Sequence, residues 1–242
     1  MKKLISMLIL AACVSAFATP VNITVTGTTP VSIDWYGLPG FTHVPPGDNE
    51  VMPGCIQGNA WDLEAVLLEG SQLSLVGSYD FANGCDGYTS GDLFLALNGD
   101  TKYDYALRFD FVNSKYNVLD LSSGYSYIHA TDISASDPFK VKDGTAPVIG
   151  SPLSFTYLTG LPDNAGLGYT SWESPTSHNE ITVDLGNFLV LTTGEEITTH
   201  FTIGCGNDEL NGHGRIPEPG SLSMILVGLL SLAGLAVSRK RK

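Results

Sequence analysis

The side chains best placed for chemistry are carboxylates at strand spacing. Asp62 and Glu64 lie at i and i+2 in Trp61-Asp62-Leu63-Glu64-Ala65, so an extended backbone carries both on one face. Asp92 and Asp104 stand at the two ends of a segment that reads as a hairpin. Carboxylates crowded on neighbouring strands repel one another, and a divalent cation relieves that repulsion. Calcium suits such oxygens, although it needs roughly six to eight of them. The expectation is a calcium site on Asp62, Glu64, Asp92 and Asp104, set against the plainer reading of Asp62 and Glu64 as a solvated strand face.

Thiols and imidazoles offer less. Cys55, Cys85 and Cys205 are scattered, without the C-x-x-C spacing that a zinc site uses. In an oxidising compartment an odd set of three implies one disulfide and one free thiol. Three pairings are open, and one that includes Cys205 is favoured because it closes a long loop near the C-terminal stalk. The five histidines (43, 129, 178, 200, 213) form no cluster, and His200 reads as an ordinary strand residue. G-x-S-x-G, H-E-x-x-H, the phosphate loop and the dinucleotide fingerprint are all missing. A catalytic triad is set by geometry rather than by order, so a secreted hydrolase stays as a third reading.

The elements that must position these groups are strands. Tyr103, Tyr105, Leu107, Phe109 and Phe111 alternate with Asp104, Ala106, Arg108 and Asp110, a period of two. The run 92–97 precedes them, and Asn98-Gly99 between the two is a tight-turn dipeptide. Further β-like runs cover 21–26, 31–36, 61–68, 73–81, 116–121, 153–158, 181–185, 188–191 and 197–203, separated by Gly, Pro, Asn and Ser. No window combines helical spacing with caps. The fold expectation is all-β: an antiparallel, jelly-roll-like β-sandwich over 19–214, flanked by an N-terminal signal peptide and a C-terminal single transmembrane helix.

Those flanks are read from charge and hydropathy. Met1-Lys2-Lys3 and an apolar run to Val14 precede Ala16-Phe17-Ala18, the small-x-small pattern read by signal peptidase, which makes 1–18 a signal peptide. Leu10-Ala11-Ala12-Cys13 has the form of a lipoprotein box and keeps a lipidated Cys13 as an alternative. Residues 221–237 carry no charge, and Arg239, Lys240, Arg241 and Lys242 follow. As a helix this run reaches roughly 26 Å, enough for a thin hydrocarbon core, with the basic tail holding the cytoplasmic side of the inner membrane. The whole chain has a net charge of −13, but 19–216 carries 24 acidic against 6 basic residues, a net −18. Such a surface disfavours nucleic acid, whose phosphates need a basic face.

Ile216-Pro217-Glu218-Pro219-Gly220 stands immediately before the apolar run. A Pro217, Glu218, Pro219 motif, one span and a basic tail, in that order, resemble the PEP-CTERM sorting signal over 215–242. The same module is sometimes labelled after ice-binding proteins that carry it, a label that describes the tail alone. The resemblance implies that exosortase, a polytopic membrane cysteine protease-transpeptidase of Gram-negative bacteria that make exopolysaccharide, is the processing partner. Two prolines keep the segment extended and unpaired, as a protease cleft requires. Within the middle part, Asp62-Leu63-Glu64-Ala65, Gly91-Asp92-Leu93 and the stretch from His200 to Asp208 resemble the D-x-E-A, G-D-[IL] and H-F-T-x-x-C-G-N-D segments of exosortase-dependent surface proteins. That likeness implies a surface location and no chemistry.

Two functions of different kind follow as expectations. One is a non-catalytic surface or matrix protein of the biofilm. The other is a calcium-dependent carbohydrate-binding module, with Trp35, Trp61 and Trp172 as candidate platforms for exopolysaccharide sugars.

Overall fold

Period-two runs rich in Leu, Val, Tyr and Phe need hydrogen-bonded neighbours on both sides, and the chain supplies them by repeated antiparallel return. A computed structural model describes residues 20–25, 61, 63–99, 102–132, 134–161, 178–206 and 208–216. The expectations for 1–18, 31–36 and 217–242, and for Cys13, Trp35, Cys55, Asp62 and Trp172, fall outside the described residues. The strands in chain order are β1 (Val21–Asn22), β2 (Leu63–Glu69), β3 (Gln72–Gly77), β4 (Leu93–Leu97), β5 (Tyr105–Asp110), β6 (Lys115–Asp120) and β7 (Tyr127–Ile128). After them come β8 (Lys140–Val141), β9 (Val148–Ser154), β10 (Thr156–Leu161), β11 (His178–Asp184), β12 (Glu196–Thr202) and β13 (Glu209–Arg215). Helical structure among the described residues is limited to the short 3-10 turns Ser134–Ser136 and Leu185–Asn187.

The protein is all-β, and its strands pair antiparallel. One sheet has the order β1-β2-β3-β11-β10, a second β13-β12-β4-β5-β6-β9, and β7 pairs only with β8. One hydrophobic cluster draws on both larger sheets: Leu63, Val66, Leu75 and Ile181 from the first, Leu95, Leu107, Val118 and Phe201 from the second. A smaller cluster of Phe94, Tyr103, Ala106, Leu119 and Val141 lies on the opposite face of the six-stranded sheet. Residues 122–146, which contain β7 and β8, leave β6 and return to β9. At the N-terminus Val21 and Asn22 pair with β2, whereas Thr24 bridges Gly212 of β13. One short stretch therefore links the edges of both sheets.

The expected hairpin is present: Leu93, Phe94 and Leu95 of β4 pair with Leu107, Ala106 and Tyr105 of β5. Asn98 and Gly99 adopt φ of +58° and +68°, the left-handed conformation that this dipeptide tolerates. Other expectations need correction. Residues 188–191 are not a strand, because Leu185 O accepts from the Phe188 and Leu189 N–H groups and closes a 3-10 turn instead. The run 153–158 splits at buried Phe155, so that β9 ends one sheet and β10 ends the other. These two edge strands are irregular. Register breaks occur between β6 and β9 and between β10 and β11, and Gly150 and Gly160 sit at φ of +65° and +69°.

One turn design recurs. In Asp80-Phe81-Ala82-Asn83, Asp80 accepts from the Asn83 N–H and side-chain amide at 3.0 and 2.9 Å. In Asp110-Phe111-Val112-Asn113 the corresponding bonds are 3.2 and 2.7 Å. Phe81 and Phe111 both pack on Tyr157, with ring centroids 6.5 and 5.5 Å away.

Candidate functional site

The three motif segments meet at one junction. Gly91 N–H donates to Thr202 O at 3.0 Å and Asp92 N–H to Phe139 O at 2.9 Å. A Cβ on Gly91 would stand 2.6 Å from both of those carbonyl oxygens, so only glycine fits there. Asp208 Oδ2 accepts from Leu63 N–H at 2.7 Å and ties the end of the third segment to the strand that carries Glu64.

Glu64 is not on a solvated face. The pairing of β2 with β3 shifts register between Leu63 and Ala65, and the Glu64 side chain at this bulge is fully buried. It meets His178 Nδ1 at 2.8 Å and accepts from the Ser78 hydroxyl at 2.8 Å. His178 is 1% exposed, so the pair is shut away from any substrate in bulk water.

Asp92 is also fully buried, and Arg108 grips it with two bonds, Nε at 3.0 Å and an Nη at 2.7 Å. The Val141 N–H adds a third at 2.9 Å. Arg108 reaches onward to Asp143 at 2.5 Å and to Val141 O. Its bonds to Asp92 raise the guanidinium pKa above its ordinary value. This cluster fastens the 122–146 excursion to the sheet, a task for which a forked, permanently charged side chain is well suited. Asp104, half-buried, accepts from Leu97 N–H at 2.8 Å and closes the hairpin loop.

Glu64, Asp92 and Asp104 are thus engaged by three different sets of groups. Among the described residues no three His, Cys, Asp or Glu stand where they could share a metal ion. Arg108 and His178, which organise two of these carboxylates, were not candidates from sequence. Their partners lie 16 and 114 residues away along the chain, and neither position carries a motif.

His200 is fully buried, with Nδ1 2.9 Å from the Asn211 side-chain amide and Nε2 3.2 Å from Pro138 O. Burial pushes its pKa down. Both ring nitrogens face carbonyl oxygens, Asn211 Oδ1 and Pro138 O, and a neutral ring donates to only one of them. Two residues before Asn211, Glu209 is buried with Oε2 lacking any hydrogen-bond partner, and desolvation raises its pKa to about 8. At neutral pH its carboxyl is mostly protonated.

Cys85 is a half-buried free thiol, and Cys205 is buried. Cys85 bonds to one side of Tyr88, and the 88–90 strand meets 203–204 on its other side. Trp61 packs against Tyr88 with centroids 5.8 Å apart, and both rings are half-buried. Tyr88 donates to exposed Asp132 at 2.8 Å.

No family model, no curated protein and no solved structure matches the chain.

Proposed function

We propose that the chain is an exported, non-catalytic surface or matrix protein, cut from an inner-membrane precursor by exosortase and retained with exopolysaccharide. The observation that carries this reading is the C-terminal order of Pro217-Glu218-Pro219, an uncharged run and four consecutive cations. Signal peptidase would act at the other end, after Ala18. The middle part supports a structural role, because the polar groups of its motif segments bond within the fold: Asp208 to β2, Asp92 to Arg108, Glu64 to His178. We read two antiparallel sheets sharing one core as a β-sandwich with jelly-roll character.

Replacing Pro217, Glu218 and Pro219 by alanine tests the reading. The unaltered protein is expected at the surface or in the medium without residues 221–242, and the variant at full length in the inner membrane. Mass spectrometry of the released C-terminus reads the outcome. Surface protein that still carries residues 225–242 overturns the proposal.

A carbohydrate-binding module is the second reading, favoured by the half-exposed Trp61 and Tyr88 pair. Any calcium it used would need carboxylates other than Glu64 and Asp92, whose oxygens already face His178, Ser78, Arg108 and Val141. A secreted hydrolase has no specific observation in its favour.

A further inference from the structure

We propose that Glu209, Asn211 and His200 form a latch that holds the segment 134–141 on the outer face of the six-stranded sheet, and that the latch closes fully only while one buried proton is shared along it. Sorting plays no part in this device.

Glu209 and Asn211 stand at i and i+2 in β13 and so share one face, and Asn211 lies opposite His200 of β12. All three side chains are buried. The Asn211 side chain bonds to the Glu209 carboxyl, and its amide oxygen lies 2.9 Å from His200 Nδ1. On the far side of the ring, Nε2 lies 3.2 Å from Pro138 O. The contacts thus run Glu209, Asn211, His200, Pro138, from an edge strand to the 122–146 excursion. Other bonds hold the same segment: Ser136 Oγ to Gly206 O at 2.6 Å, Asp92 N–H to Phe139 O at 2.9 Å and Val141 N–H to Asp92 at 2.9 Å. Their donors are a hydroxyl and backbone N–H groups, present at any pH. The donors of the latch depend on protonation.

Counting hydrogens shows how. Three contacts need three hydrogens. The Asn211 amide donates to one side only, because its oxygen faces the other, and a neutral imidazole donates once. An ionised Glu209 donates nothing, so one pair of acceptors is left facing, and Oε2 has no partner to receive the charge. One more proton completes the set in either of two ways. It sits on His200 with the amide as it stands, or on Glu209 with the amide turned so that Nδ2 faces His200. Burial favours the second, because it keeps the ring neutral and holds the Glu209 carboxyl protonated up to about pH 8. A second extra proton buries a charged ring beside a neutral carboxyl.

Neighbouring titratable groups do not supply the missing hydrogen. Tyr103 lies with its ring centroid 6.2 Å from that of His200, and His213 is engaged with Thr198 at 3.2 Å. Asp137, whose charge favours a charged ring, accepts from Ala130 N–H and meets His129. Asp208 accepts from Leu63 N–H, and Asp92 is held by Arg108 with Lys140 nearby.

The test is hydrogen–deuterium exchange of the full-length chain from pH 5 to pH 10, read by mass spectrometry and corrected for the intrinsic pH dependence of exchange. Peptides covering 136–141 should lose about tenfold in protection as pH rises through 8, the order expected for one buried hydrogen bond left unmade. Peptides from β2 and β3 should stay more protected at every pH, which marks the opening as local. Glu209→Gln carries a permanent donor and should abolish the alkaline loss. Asn211→Leu should lower the protection of 136–141 at neutral pH. If the variants do not fold, as judged by circular dichroism, the wild-type profile decides. No alkaline loss at 136–141, an equal loss in folded Glu209→Gln, undiminished protection in folded Asn211→Leu, or exchange no faster than in β2 and β3 overturns the latch.

Discussion

On the inner face of the six-stranded sheet, Leu93, Leu95, Leu107, Val118, Ile197 and Phe201 meet the hydrocarbon of the other sheet. On its outer face, polar groups do much of the holding. Asp92 joins Arg108, His200 stands between Pro138 and Asn211, and the Ser136 hydroxyl donates to Gly206 O at 2.6 Å. Burial of hydrocarbon depends little on pH, whereas buried carboxyls and imidazoles bring proton equilibria with them. The inner face should therefore set how stable the domain is, and the outer face how that stability varies with solution conditions.

Phe201→Ala probes the inner face, and the expected loss is about 3–5 kcal/mol in urea unfolding. That loss should be the same at pH 5 and pH 8. A loss that changes by more than about 1 kcal/mol between them would break the contrast.

Arg108→Met probes the outer face by leaving Asp92 buried without its counter-charge. Removing one partner of a buried pair costs about 3–5 kcal/mol, and adding Asp92→Leu should restore much of it. A double-mutant cycle measures this. If Arg108→Met alone costs under about 1 kcal/mol, the pair behaves like an exposed one and the outer face is not latched by charge.

Glu209 and His200 set the pH window, and their signs oppose. The Glu209 pKa is raised from 4.5 to about 8, so its contribution is complete below pH 4.5 and is lost as pH rises through 8. The His200 pKa is lowered from 6.5, so its contribution is complete above pH 6.5 and is lost as pH falls below it. Below pH 6.5 the two contributions change with pH in opposite directions. Of these two groups only Glu209 acts from pH 6.5 to 8, and its contribution should fall by about 2 kcal/mol, at about 1.4 kcal/mol per pH unit. Thermal melts of Glu209→Gln should lack this alkaline decline. Parallel declines in variant and wild type would assign it elsewhere.

The smallest effect is a difference in labelling order. Cys85 is half-exposed and Cys205 belongs to the inner core. Iodoacetamide on the native protein should modify Cys85 first and reach Cys205 only on unfolding, as peptide mapping would show. Equal rates would mean that the inner face opens as readily as the surface.

Strands were legible wherever alternation was hydrophobic, as from Tyr103 to Phe111. β13 was not, because two of its three core-facing positions, Gly212 and Gly214 beside Leu210, are glycines. A Cβ at Gly212 would stand 2.6 Å from Thr199 Oγ1, and one at Gly214 would stand 2.4 Å from Ile23 Cγ2. Close approach of another element erased the apolar signal that periodicity needs. Glu64 looked solvated because alternation assumes an unbroken strand with one face in water, and the strand has a bulge at Glu64, whose side chain is fully buried. Asp92 was visible as a carboxylate, but nothing local showed that Arg108 would neutralise it. The junction of the three motif segments is likewise a product of sheet order, which short islands of sequence do not encode.

The irregular edges carry a consequence for crowding. Residues 144–162 hold no charged side chain, although β9 and β10 end the two sheets. A straight, uncharged border of that kind recruits the same border of a neighbouring molecule and grows into fibres. Here Pro152 removes one donor, and the left-handed Gly150 and Gly160 bend the rows of free backbone groups. Neighbouring molecules then find only short, misaligned stretches to pair with. A concentrated solution of the protein is therefore expected to resist setting into amyloid.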